Sequence, residues 1–482
     1  MSEMRSLAKD TAIYGISSIV GKFLNYLLVP LYTYVLKQTS DYGIVTNLYA
    51  WTALLLVILT YGMETGFFRF ANKDNQDSRT VYKTTFLCLL LTSTVFALVC
   101  VLWRAPIAAA MGYADHAEFI AMMAVTVALD AFSSIPFAYL RYQKRAMLFA
   151  GLKLLFVVLN IAFNLLFLIV LKKQDVVWVF VSNILATSIQ TIVLLVFTLP
   201  RGGAFSLPVL SEMLRYSLPL LVLGVAGIMN QTLDRILFPI LYTGEDAQAQ
   251  LGIYGACFKV AMVMMMFTQA FRYAYEPFVF SKHKDKQSVE AYADAMKYYI
   301  IFSYLILLLV VFYLDIFRYI IGSAYWEGLK IVPVVLWTYV FQGVYFNLSF
   351  WYKLTDETRW GAYFSLTGLL ITLVLQIVFV PKIGYWASCG SSLVCYFVIM
   401  WLSYLIGQKK APIPYDMKRI GAYTALTVGL LAVYYALRLY YVHGMWANMA
   451  IGTGLLIVYL LVLTRRDFPL SGLPVVGKYF KK

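Results

Sequence analysis

The run Val81-Tyr-Lys-Thr-Thr-Phe-Leu-Cys-Leu-Leu-Leu-Thr-Ser-Thr-Val-Phe-Ala-Leu-Val-Cys-Val-Leu-Trp103 decides the class of this chain. It holds one charge, Lys83, near its start. As a helix it is long enough to cross the hydrocarbon core of a bilayer, which takes about 20 residues. The strict alternation of a barrel strand is absent, and a lipid-facing backbone must satisfy its own hydrogen bonds, so the run reads as a helix. Working outward, equivalent runs occur at 11–36, 44–68, 118–140, 150–171, 176–199, 214–242 and 251–278. They continue at 297–314, 329–353, 360–380, 385–407, 419–441 and 446–464, which predicts fourteen spans. The composition agrees: 62% of residues are hydrophobic and 13% charged, against about 25% charged in a soluble domain. Mean hydropathy is +0.75. The run 11–36 lacks a small-residue cleavage site and is too long for a signal peptide, so it is expected to be retained.

The cations fix a predicted orientation. One set of loops, with the termini, holds 28 of the 39 Lys and Arg residues, among them Arg69, Arg141, Lys153, Arg272 and Arg419. The alternate loops hold 8: Lys37, Arg104, Lys172, Lys173, Arg318, Lys330, Lys382 and Arg438. Lys22, Arg235 and Lys259 fall inside spans. Both termini are therefore expected on the cytoplasmic side. The net charge of +15 reads as a collar facing anionic headgroups, with no nucleic-acid partner. The five cysteines, Cys88, Cys100, Cys257, Cys389 and Cys395, all lie in spans without metal-type spacing.

An echo divides the chain. Tyr42-Gly43 opens the second span and Glu64 closes it; Tyr254-Gly255 opens the eighth and Glu276 closes it, at an offset of 212. The same offset relates Lys22 to Asp234 and Asn164 to Gln376. The predicted organisation is an N-terminal six-helix lobe (1–200), a second six-helix lobe (209–410) and two additional helices with a tail (411–482). The Gly- and Pro-rich segment 200–208 is the joint. Six is even, so the lobes share one orientation about an axis along the membrane normal.

A charge near the bilayer centre is costly and faces a partner or a wet cavity. The first, second, seventh and eighth spans hold most such charges. Lys22, Arg235, Lys259 and Arg272 are the candidate cations for an anionic ligand, with Asn25, Asn230 and Gln231 as polar lining. Glu64, Arg69, Asp130, Asp234 and Glu276 are candidates for gating or ion coupling. Glu64 and Glu276 close related spans at cytoplasmic mouths, with Arg69, Arg272 or the facing lobe as partners expected in the outward-open state. The plainer readings compete: Arg69 and Arg141 have the reach to snorkel, and Arg272 with Glu276 has the spacing of a helix-surface ion pair. The 38 tyrosines read mainly as interfacial belts. No Walker A motif, acidic catalytic cluster or large outside loop is present, so neither an ATP engine nor an enzyme is expected, and no cofactor or metal.

The stretch Lys9-Asp-Thr-Ala-Ile-Tyr-Gly-Ile-Ser-Ser-Ile-Val-Gly-Lys-Phe23, with Pro30-Leu-Tyr-Thr-Tyr-Val-Leu36, Asp41-Tyr-Gly43 and Tyr61-Gly-Met-Glu-Thr-Gly-Phe-Phe-Arg69, resembles bacterial polysaccharide-export flippases. These are the Wzx-type oligosaccharide-lipid flippases of the multidrug/oligosaccharidyl-lipid/polysaccharide (MOP) superfamily. The resemblance implies an all-α membrane fold like that of MATE and MurJ transporters. It also implies alternating-access transfer of undecaprenyl-pyrophosphate-linked oligosaccharide to the periplasmic leaflet, for O-antigen, capsule or exopolysaccharide. Implied partners are the lipid-linked substrate, membrane lipids, and polysaccharide polymerase and chain-length proteins. A lipid II flippase is the alternative, although several Arg residues along the first span, typical of that group, are missing here. A cation-coupled multidrug exporter fits less well, because its pocket is acidic.

Overall fold

The computed structural model describes residues 20–21, 23–24, 26–73, 76–281, 287–355, 357–440 and 444–468, with side chains at all of these except 274, 276–281 and 287–288. Among the described residues the chain is helical, without strands. Among these residues twelve helices are long and apolar enough to cross a membrane, or thirteen if the pair Ala247–Val260 and Met262–Tyr273, bent by 46°, forms one span. Of the first predicted span, 11–36, the only long continuous piece is Leu28–Val35; most of the rest lies outside the described residues.

The elements are α1 (Leu28–Val35), α2 (Thr39–Thr60), α3 (Met63–Ala71), α4 (Ser78–Leu102), α5 (Arg104–Ala110), α6 (Ala117–Tyr142), α7 (Ala146–Asn164) and α8 (Val177–Thr198). They continue as α9 (Leu207–Leu241), α10 (Ala247–Val260), α11 (Met262–Ser281), α12 (Gln287–Phe312), α13 (Leu314–Phe317), α14 (Val332–Leu348) and α15 (Phe350–Leu354). The last are α16 (Arg359–Ile383), α17 (Tyr385–Lys410), α18 (Met417–Tyr440) and α19 (Met445–Arg466). Packing groups them into two compact units: 1–259 with 358–399, and 260–357 with 400–482. These groups follow contacts in one conformation; the 1–200 and 209–410 duplication remains a proposal about ancestry.

In the first unit the helix ends obey local chemistry. Asp77 caps α4 by accepting from the Arg79 and Thr80 amides, and Ser206 caps α9, with Pro208 in its first turn. On α4 the exposed Leu91, Val95, Leu98 and Leu102 form one stripe, the surface expected to meet lipid. The opposite face joins α3 and α6 in an aromatic core: Tyr82 stacks on Tyr139 at 3.8 Å, Phe67 meets Tyr82 edge-on, and the Tyr82 hydroxyl donates to the Thr198 carbonyl at 2.5 Å.

Two glycine devices shape this unit. The second span breaks at Tyr61 and Gly62, whose φ values are 31° and 71°, a conformation glycine adopts without penalty. The break separates α2 from α3 within the Tyr61–Arg69 motif. At the other end α2 crosses α10 so closely that a Cβ on Gly43 would strike the Gln248 carbonyl, one on Gly252 the Thr39 carbonyl, and one on Gly255 the Thr46 side chain. Gly43 and Gly255, the two positions related by the 212-residue offset, thus both sit where the backbones need close packing.

The second unit packs α12 against α14, α18 and α19. Tyr299 fills the notch left by Gly343 and shares a 2.8 Å hydrogen bond with Thr268. The Trp351 indole donates to Ser403 at 3.2 Å over Gly407. At one end Asp467 accepts from Arg419 and, at 2.8 Å, from Tyr423.

Replacing Gly43 or Gly252 by Leu is expected to cost about 1–3 kcal/mol as overpacking and to lower the unfolding temperature in detergent. Gly151→Ala, where an added Cβ meets nothing within 4 Å, is expected to leave it unchanged or slightly raised.

Candidate functional site

Described residues of the first unit form two cavities with polar walls. One, of about 540 Å³, is lined by Glu64 on α3, Asp130 and Arg141 on α6, and Lys153 on α7, with Thr60, Ser133 and Gln190 among its polar walls. The break at Tyr61–Gly62 starts α3 and so sets where Glu64 points. Glu64 pairs directly with Arg141, whose guanidinium also lies over Phe68 (5.1 Å) and Phe149 (5.8 Å). The Lys153 ammonium sits 3.9 Å over the Phe137 ring. Ser133 hydrogen-bonds Thr191 at 3.1 Å, and Gln190 donates to the Leu152 carbonyl at 2.8 Å. Two carboxylates and two cations thus share one recess, and the polar walls can hold water. Such a recess can bind a proton or exchange ion pairs.

The other cavity, of about 220 Å³, is built differently. Among the described residues Leu28, Val29, Tyr32, Tyr42, Val45, Tyr49, Phe156, Asn160, Asn183 and Lys259 line it, one cation and no carboxylate. The Asn183 amide donates to the Tyr49 hydroxyl at 2.9 Å. Lys259 makes neither a hydrogen bond nor an ion pair among the described residues. Its neighbours on α9 and α10 are tied together. Asp234, 3% exposed, accepts from Tyr254 at 2.5 Å and lies 3.4 Å from Arg235. Arg235 also donates to the Gln231 carbonyl and lies 4.7 Å from the Phe258 ring centre. Below them Asn47 donates to the Arg235 carbonyl at 2.7 Å and accepts from Tyr113 at 2.8 Å, and Gln248 donates to Tyr113 at 3.1 Å. Burial pushes the Tyr113 phenol well above its ordinary range, so it stays a neutral donor.

These positions can be set against the sequence reading. Glu64 was expected to pair with Arg69, Arg272 or the facing lobe in the outward-open state; in this structure it meets Arg141, and Arg69 lies 4.2 Å over Tyr216. Arg272 lies 4.7 Å over Phe346 in the second unit. Asn230 donates to the Ser365 carbonyl at 2.9 Å and so serves the contact of α9 with α16, while Gln231 is exposed. Lys22, Asn25 and the Glu276 side chain lie outside the described residues. Arg141 and Lys153, counted with the cytoplasmic loops, line a cavity instead. The predicted span began at 150 and put Lys153 in its first turn, whereas α7 begins at Ala146 and places Lys153 two turns, about 10 Å, inside.

Comparison with known proteins now adds to this geometry. Residues 36–329, more than half of the chain, match a family model described as polysaccharide biosynthesis protein, and the chain belongs to that family. A search of curated proteins gives no match. A structure titled lipid II flippase MurJ, inward closed conformation, superposes with a TM-score of 0.74 at 12% identity, covering 94% of this chain and 99% of that one. An inward-facing multidrug resistance MATE family transporter of the MOP superfamily gives a TM-score of 0.67 at 12% identity, covering 86% and 99%. The chain is thus a multi-pass membrane protein with the fold of the MOP superfamily.

The Glu64–Arg141 pair supplies a direct check. A double-mutant cycle with Glu64→Gln and Arg141→Gln, read by unfolding temperature in detergent, is expected to give a coupling of roughly 0.5–3 kcal/mol. The single Glu64→Gln should cost more than it does in the Arg141→Gln background.

Proposed function

We propose that the chain flips undecaprenyl-pyrophosphate-linked oligosaccharide units from the cytoplasmic to the periplasmic leaflet, for surface-polysaccharide assembly, by alternating access. The observation that carries this reading is the Lys259 pocket. A cation held among Tyr32, Tyr42, Tyr49, Asn160 and Asn183, with no lining carboxylate among the described residues, suits an anionic ligand bearing hydroxyls. Tyrosine rings offer faces to sugars, and the amides offer both donors and acceptors. The polysaccharide biosynthesis family supports the substrate class. The same pocket counts against a multidrug exporter of cationic compounds, whose ligand would be repelled by Lys259 in its wall and by Arg235 nearby. Lipid II, also a polyprenyl-pyrophosphate sugar, is the second reading, favoured by the fold shared with MurJ.

A strain that makes a surface polysaccharide and depends on this gene separates the two. Loss of the chain is expected to remove the polysaccharide and accumulate its lipid-linked unit inside, with cell-wall synthesis intact. A block in peptidoglycan synthesis would instead establish the second reading. Lys259→Gln and Arg235→Gln, at native expression, are expected to lower surface polysaccharide several-fold while membrane insertion persists; wild-type levels in both would contradict the pocket's role.

The driving force follows from the same charges. A pyrophosphate carries roughly two negative charges, and moving each through 100 mV is worth about 2.3 kcal/mol. An inside-negative potential therefore drives the headgroup outward. In vesicles at equal pH on both sides, an inside-negative potassium potential is expected to accelerate flipping, and Asp130→Asn to leave that response in place. Flipping that ignores the potential, follows a pH or sodium gradient and stops in Asp130→Asn would show that this carboxylate couples transport.

A further inference from the structure

The loops assigned to the outside are poor in cations, yet three of their 8 Lys and Arg residues meet at one place in the second unit. Arg318 follows α13, Lys330 lies in the 3-10 turn before α14, and Arg438 is in the last turn of α18. They rim a cavity of about 510 Å³ whose walls include Leu314, Leu329, Pro333 and Leu439.

The cluster is held in place before any ligand arrives. Asp315, 7% exposed, lies 3.4 Å from Arg438 and 3.8 Å from Arg318, and accepts from Asn448 on α19 at 3.0 Å. Arg318 also lies 4.5 Å from the Trp326 ring centre and donates to the Tyr319 hydroxyl at 3.1 Å. The Trp326 indole in turn donates to the carbonyls of Arg318 (3.0 Å) and Ile321 (3.2 Å), fixing the turn around it. One carboxylate therefore serves two guanidinium groups, and Lys330, exposed, makes no ion pair among the described residues. The Nε of Arg318 and the Oδ1 of Asn448 are buried without partners. The rim keeps about two uncompensated positive charges above an apolar wall.

We propose that this cavity binds the phosphate headgroup of a lipid in the outer leaflet, with the chain of that lipid lying along Leu314, Leu329 and Leu439. Arginine and lysine beside aromatic rings provide charge-assisted hydrogen bonds to phosphate oxygens at the depth where headgroups lie. Two lipids share this chemistry, a glycerophospholipid and a polyprenyl pyrophosphate. The site does not depend on whether the protein flips a substrate.

The test uses the purified full chain in neutral detergent and four probes: dioctanoyl phosphatidylglycerol, farnesyl pyrophosphate, dioctanoyl phosphatidylcholine and sodium phosphate. Both anionic lipids are expected to bind at least about tenfold more tightly than phosphatidylcholine or free phosphate, and Lys330→Gln to weaken them about tenfold without lowering the unfolding temperature. The combined variant Asp315→Asn, Arg318→Gln, Arg438→Gln removes the charges together, leaving no carboxylate stranded, and is expected to weaken binding further. The tighter of the two anionic lipids identifies the natural source. Undiminished affinity in Lys330→Gln overturns the site, and free phosphate binding as tightly as the lipids overturns the lipid assignment.

Discussion

A charge carried into the hydrocarbon region must be given a counter-charge, a ring or a hydrated space, and that requirement arranges the first unit. Glu64 receives Arg141, Asp234 receives Tyr254 and Arg235, and Lys153 receives the face of Phe137. Each solution ties helices together: α3 to α6, α9 to α10, and α6 to α7. Lys259 is solved differently. Its surroundings are a pocket of tyrosines and amides, which leaves its charge available to something that comes and goes.

Backbone punctuation supports these pairings. The break at Tyr61–Gly62 ends α2 and starts α3 so that Glu64 reaches the cavity beside Asp130. The glycines of α2 and α10 let two backbones touch, and the hydrogen-bonded chain Gln248, Tyr113, Asn47 and the Arg235 carbonyl spans α2, the connection from α5 to α6, α9 and α10. A transporter needs parts that stay rigid while others move. The close crossing and its polar network are features of the rigid kind.

The spans were legible because nothing but a membrane explains runs such as 81–103. Gly43 and Gly255 stood out in the sequence, and the structure shows that an added Cβ at either would clash with the neighbouring helix. Side-chain direction was harder to read. In a helix apolar on nearly every face, linear position says whether a charge is deep but not where it points, so Arg141 was counted with the loops. Asn230, read as lining, turns to Ser365 on α16, a contact between segments far apart in sequence. The convergence of Arg318, Lys330 and Arg438 likewise depends on bringing distant helices together, which spacing alone does not encode.

These features fit a protein that passes an anionic, sugar-bearing lipid across a bilayer: two polar recesses in one unit, one balanced in charge and one cationic, within the MOP fold and the polysaccharide biosynthesis family. The most direct measurement reconstitutes the purified chain in vesicles with a fluorescent polyprenyl-pyrophosphate oligosaccharide in both leaflets and adds an impermeant quencher outside. The account requires that the protein make the protected fraction accessible, that a polyprenyl phosphate lacking sugar compete poorly, and that Lys259→Gln slow the exchange. A protected fraction unchanged by the protein, or exchange equally fast in Lys259→Gln, would contradict it.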